Sequence, residues 1–184
     1  MKKLIIFILA MSCALTLVSC TPKSDPKYAN TVSYAGWTDD PAVASGAINS
    51  DKLQNAEETH LPIFKIDTLD DLVNFRAQYG SVFSLDQEYN SVKSFEGAIE
   101  KAQFDREDFF KEHTLLVVYV TANSGSYRFS VGDVHVEDNS LCVYVEQTND
   151  PKVVTDDMAG WFMIVEIEDK EIRNYSSYDA ILNK

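Results

Sequence analysis

The side chains in this chain with a capacity for chemistry beyond packing are three histidines, three cysteines and a run of carboxylates in one long loop. His60, His113 and His135 fall in separate predicted elements, so a zinc site would have to be assembled across the fold rather than along one helix. Neither HExxH, CxxC, G-x-S-x-G, a Walker A loop nor an EF-hand loop occurs, which weakens the case for an enzyme. Residues 149–161 carry Asp150, Asp156 and Asp157. Two chemical readings follow: Asp150 and Asp157 as the acid/base pair of a carboxylate-based hydrolase, or all three as ligands in a calcium or solute binder. Their spacing matches no recurring calcium pattern. A further acidic trio, Asp105, Glu107 and Asp108, sits where a helix is predicted to begin, and carboxylates there ordinarily cap the helix and complement its dipole.

Cys20 is the most specific of these groups. It follows Met1-Lys2-Lys3, an apolar run over residues 4–10 and the tripeptide Leu17-Val18-Ser19. This arrangement resembles a bacterial lipoprotein signal peptide ending in a lipobox. The resemblance implies lipidation of the Cys20 thiol by a diacylglyceryl group, cleavage just before it and acylation of the new amino terminus. Each buried methylene adds about 0.8 kcal/mol, so two or three acyl chains anchor a protein stably. The expected location is the extracytoplasmic face of a bacterial cell membrane. Ser12, Cys13 and Thr16 interrupt the apolar stretch and Pro22 follows it, which disfavours an uncleaved transmembrane helix. Cys13 leaves with the leader, so Cys142 is left as the one free thiol and the domain must be stable without a disulfide. Within Leu141-Cys142-Val143-Tyr144-Val145 it reads as a small buried hydrophobe.

Sixteen Lys and Arg stand against 29 Asp and Glu, a net charge of -13, and loss of Lys2 and Lys3 with the leader makes the exported part more acidic still. Such a surface repels nucleic acid and anionic headgroups, so no nucleic-acid partner is expected. No motif implies a cofactor. Length allows one domain, partitioned as a signal peptide over 1–19, a lipid anchor, tether and irregular arm over 20–50, and an α+β domain over 51–184.

Residues 21–30 are polar, with Pro22 and Pro26, and read as a flexible tether. Residues 34–46 mix aromatics with turn residues, and Trp37 within them is either docked or a contact residue. Residues 60–67 alternate as a strand with Pro62 near its start. Thr68 caps a helix whose Leu69, Leu72 and Tyr79 share one face before Gly80. Residues 94–102 are weakly helical. Phe104 is placed to staple onto Phe109 across a helix start capped by Asp105.

From His113 onward the period falls to two. Residues 115–120 are apolar on both faces, as a central strand covered above and below must be. Residues 127–131, 134–136, 141–145 and 162–167 complete the set, with turns at 123–126, 132–133 and 138–139. His135, between two valines, points to the wet face. The expected fold is therefore α+β, with short N-terminal helices followed by an antiparallel β meander.

Two loops carry the expected contacts. Residues 121–127 hold small residues ending in Tyr127 and read as a hairpin turn, whose amides also suit a close-approaching partner. Residues 149–161 are long for a hairpin and contain Met158 and Trp161, which read as soft apolar contacts or as core plugs. The expected partner surface is Tyr127, Met158 and Trp161 as apolar contacts with Asp156 and Asp157 as a charged rim.

The segment 109–119, the Ser124-Gly125-Ser126-Tyr127 loop, Val134, residues 141–145 and residues 161–167 resemble the PrcB C-terminal-type domain of spirochaete and clostridial lipoproteins. The exported part also resembles clostridial lipoproteins carrying a Thr-Asp-Asp-Met-Ala-Gly-Trp-Phe segment, here residues 155–162. The resemblance implies a noncatalytic, protein-binding accessory module for an envelope protein or protease complex. The chain departs from that pattern after Pro151, where aspartates and Met158 replace a proline and a tyrosine.

Overall fold

Two strands with no polar face set the architecture. The computed structural model describes residues 25–54, 60–137, 139–172 and 175–183. Strands β3 (His113–Ala122) and β6 (Ala159–Glu168) pair antiparallel along their whole length, from His113 opposite Glu168 to Ala122 opposite Ala159. Alternation then sorts their side chains into two cores. Leu116, Val118 and Val120 with Trp161, Met163 and Val165 face one side, while Leu115, Val117 and Tyr119 with Phe162 and Ile164 face the other. A strand buried on both faces requires a layer above and a layer below.

Flanking strands β1 (Tyr28–Tyr34) and β2 (Ile63–Ile66) complete a four-stranded sheet in the order β1-β6-β3-β2. One covering layer is a second sheet of β4 (Phe129–Glu137), β5 (Ser140–Gln147) and β7 (Ser177–Asn183), in the order β4-β5-β7. The other is helical. Helix α1 (Pro41–Gly46) is short; α2 (Leu69–Tyr79) buries Leu72, Phe75 and Tyr79, and α3 (Phe95–Ala102) buries Phe95, Ala98 and Ile99. Thr68 Oγ1 accepts from the Asp71 amide, and Ser94 Oγ accepts from that of Gly97, so each long helix begins on a side-chain cap. A four-residue helix, α4 (Asp169–Ile172), follows β6.

The α+β class stands, but the meander does not. Strand β5 leaves the small sheet and the chain enters β6 in the large one, then returns as β7, which pairs with β5 in parallel. Neither β1 nor β7 is predicted from periodicity. Residues 28–30, read as tether, are already in β1, where Tyr28 lies opposite Ile167. Gly132-Asp133 is a bulge inside β4 rather than a turn: the register with β5 shifts between Val131 and Asp133. A Cβ at Gly132 would lie 2.5 Å from the Glu146 carboxyl carbon, so a larger residue in the bulge would have to displace that exposed side chain. Phe104 and Phe109 do meet, ring centroids 4.9 Å apart, yet the expected helix capped by Asp105 is only a 3-10 turn over Phe109–Lys111. Asp108 there pairs with the Arg106 guanidinium instead of capping. Among the described residues, no helix is long and apolar enough to cross a membrane. Cys20 and the leader lie outside the described residues.

Candidate functional site

Both loops singled out in the sequence carry the chain from one sheet to the other. Residues 123–128 connect β3 to β4 and residues 148–158 connect β5 to β6, so neither is a hairpin within one sheet. They meet and fasten to each other. The Gly125 amide donates to the Asp157 carbonyl at 2.8 Å and lies 3.2 Å from Asp157 Oδ1. The Thr155 amide donates to Ser126 Oγ at 3.0 Å, and Thr155 Oγ1 lies 3.0 Å from the hydroxyls of both Ser124 and Ser126. Asn149 closes the other end, donating from Nδ2 to the Ser126 carbonyl and accepting the Arg128 amide at Oδ1.

A third segment reaches in. Tyr89 donates its hydroxyl to Asp157 Oδ2 at 2.5 Å, while its ring stacks on Tyr34 and meets Trp161 edge-on. Hydrogen bonds from Thr155, and then from Tyr89, hold the Asp157 carboxyl below its usual range. A general acid needs the opposite shift, so this environment suits Asp157 to accepting hydrogen bonds, not to donating a proton. Asp150 lines an open depression of about 700 Å³ with Glu146, Gln147, Thr148, Asn149, Leu182 and Asn183, a lining that does not include Asp157. No group of three or more metal-ligating side chains gathers among the described residues.

The expected contact residues separate into two kinds. Trp161 is 1% exposed, beneath Tyr34 and Tyr89, with the Arg128 guanidinium 4.9 Å from its ring centroid. It is a platform, not a contact, because β6 begins at Ala159 and turns the indole into the space between the sheets. Its Nε1 is buried without a hydrogen-bond partner. Tyr127 packs partly buried against the same core, and Asp157 is the half-buried latch already described. Met158 and Asp156 are exposed, Met158 at 55%.

Sequence reasoning missed Val153 and Val154, 85% and 50% exposed on the same loop. Two adjacent β-branched residues between Lys152 and Thr155, in a stretch otherwise polar, were the signal available. It also missed Tyr89.

The remaining chemical groups serve the fold. Cys142 is buried, and burial pushes its thiol up, away from the reactive thiolate. It lies opposite His135, but that ring is engaged by Asp133 and Glu137 and stacks on Tyr144 on the outer face. His113 stacks on Phe109. His60 points Nδ1 at the buried Asp179 carboxylate, 3.1 Å away. Asp179 also accepts from Asn49 Nδ2 at 3.0 Å and Lys52 Nζ at 2.9 Å, so three side chains from between α1 and β2 gather on one carboxylate of β7.

What these features define is a three-layer α+β domain whose two sheet-crossing loops are latched into one rigid end. Comparison of the chain with family models, with curated proteins and with solved structures finds no match.

Proposed function

We propose that this protein is a lipid-anchored, noncatalytic binding module on the extracytoplasmic face of a bacterial membrane, and that residues 149–158 form its partner-contacting surface. The observation that carries the reading is the exposure of Val153, Val154 and Met158 on a loop that is otherwise hydrogen-bonded into place. Exposed apolar side chains on a held backbone favour association, because little loop ordering is needed on binding. Asp156 supplies a charged rim. Cys20 attaches the module to the bilayer through its lipid. The PrcB-type resemblance supports an accessory role beside an envelope protein or protease complex.

The test uses the photocrosslinking residue p-benzoylphenylalanine at position 153 and, separately, at Val73, an exposed position on α2 in the helical layer. Irradiation of intact envelopes is expected to give a discrete protein adduct from 153 and none from 73. Cys20→Ala is expected to release the protein from the membrane fraction. Equal labelling from both positions, or none from 153, overturns the binding surface. Retention of Cys20→Ala in the membrane overturns the anchor.

A further inference from the structure

Six large hydrophobic side chains are exposed among the described residues: Trp37, Ile48, Val73, Val153, Val154 and Met158. Four of them flank one end of the large sheet. Tyr34, the last residue of β1, lies opposite Trp161, and β6 starts two residues earlier at Ala159. Trp37 therefore follows β1 at the same end at which Val153, Val154 and Met158 precede β6.

The backbone on both sides of Trp37 is held. Tyr119, rooted in the helical core, donates its hydroxyl to the Gly36 carbonyl at 3.0 Å and accepts the Thr38 amide at 3.0 Å. Burial pushes that phenol up to about 12, so the hydroxyl keeps its proton to donate. The Ala35 amide donates to the Gly160 carbonyl at 2.9 Å. The turn after β1 approaches β6 so closely that a Cβ on Gly160 would lie 2.0 Å from the Gly36 carbonyl oxygen. Trp37 is thus presented at 40% exposure from a clamped turn.

Resting on the binding-module reading, we infer that Trp37 belongs to that surface and that the occupant is a segment of an extracytoplasmic protein in which lysine or arginine alternates with apolar residues. The indole face attracts a cation, most strongly among aromatic side chains. Exposed carboxylates accompany these apolar groups along the chain: Asp39 and Asp40 follow Trp37, and Asp150 and Asp156 flank Val153 and Val154. Lys152 is the single basic residue within 150–158. A second copy of the chain would set these carboxylates against themselves, and an anionic bilayer would meet the same repulsion.

The anchor points the same way. Eight residue steps separate Cys20 from Tyr28, a reach of at most about 29 Å. Strand β1 then runs about 20 Å further to Tyr34, at the end where the patch lies. The Tyr28 end of the sheet is tied to the membrane and the patch lies at the opposite end.

The test is a titration of full-length lipidated protein in neutral phosphatidylcholine nanodiscs, read by tryptophan emission, in which Trp161 is buried and Trp37 is the responsive indole. The probes are an acetylated Arg-Leu-Arg-Leu-Arg-Leu peptide, its Glu-Leu counterpart and phosphatidylglycerol vesicles. The arginine peptide is expected to shift the emission and the other two are not. Affinity should fall about tenfold or more in the charge-neutral Val153→Ser/Val154→Ser/Met158→Ser and in Asp39→Asn/Asp156→Asn, and with added salt. It should stay unchanged in Glu100→Gln/Glu107→Gln, which neutralises carboxylates in and beside the helical layer. Equal loss in the Glu100/Glu107 variant, a response to vesicles, or no response to the arginine peptide overturns the inference. The crosslink from position 153 is read independently, so a persisting adduct alongside a silent peptide leaves the binding module standing and removes only this partner class.

Discussion

Two regions of the molecule break the rule that apolar groups go inside and charges outside, and they break it in opposite directions. Asp179 is a carboxylate only 3% exposed, and Val153 is a valine 85% exposed. The buried charge is completed by the chain itself: Asn49, Lys52 and the Ala180 amide donate to it, and His60 lies alongside. The exposed valine sits on a loop fastened on either side of it, at Asn149 and at Thr155 and Asp157, yet its own side chain stays in solvent. An inverted residue whose interactions close within the chain holds a fold together. One whose interactions remain open directs attention outward, to a second molecule.

That contrast is open to attack by mutation. The largest effect should come from the platform beneath the loops. Trp161→Ala deletes a fully buried indole and is expected to cost about 3 to 5 kcal/mol of stability in denaturant titration. A cost under 1 kcal/mol would mean that the loops do not depend on this platform. Asp179→Ala comes next. It takes one acceptor from the buried Asn49 amide, which keeps its bond to the Leu61 carbonyl, and removes the partner of Lys52, with an expected cost of about 2 to 3 kcal/mol, reduced somewhat because Lys52 is partly exposed.

Acid should imitate that variant. Burial raises the Asp179 carboxyl, but hydrogen bonds from Lys52 and Asn49 and the nearby charges outweigh it, so the folded value lies below the ordinary 3.8. A carboxyl lowered on folding contributes stability above its unfolded value, and that contribution disappears as pH falls through the folded value. Unfolding of the parent protein followed below pH 4 should therefore show a loss that Asp179→Ala has already suffered. Parallel pH curves for the two proteins would contradict the assignment.

The smallest stability effect belongs to the tip. Val153→Asp/Val154→Asp/Met158→Asp should change stability by no more than about 0.5 kcal/mol per residue, since all three side chains are at least half exposed and none belongs to either core. The same variant should abolish the crosslink from the loop, introduced there at position 152 because 153 is mutated. A large loss of stability would place the tip with Asp179, as part of the fold.

Legibility in the sequence tracked how local each interaction is. The capped helix ending at Tyr79 and the doubly buried strand around Val117 were readable because caps and periodicity involve residues a few positions apart. Strand β7 was not, since its pairing with β5 spans a crossing through the other sheet, and Tyr178-Asp179-Ala180 interrupts its apolar pattern with a charge. That charge was itself the missed clue: its partners lie more than a hundred residues away. At the loops, the sequence left contact and core plug open for both Met158 and Trp161, and the structure exposes Met158. It buries Trp161, a choice the sequence could not make because an aromatic at the end of a long loop looks the same whether it begins a buried strand or tips a surface. The Tyr89 latch joins segments 68 residues apart and has no local signature.

Methionine oxidation tests the central claim with residues already in place. Met158 is exposed on the loop and Met163 is fully buried in β6, five residues on, so the second calibrates the first. Under mild peroxide, sulfoxide formation at each is measured by mass spectrometry in intact envelopes and in the purified full-length protein. Met158 is expected to oxidise rapidly when purified and several-fold more slowly in the envelope, with Met163 slow in both. Equal Met158 rates in the two settings would mean that nothing covers the loop where the protein resides, and the binding surface would be refuted.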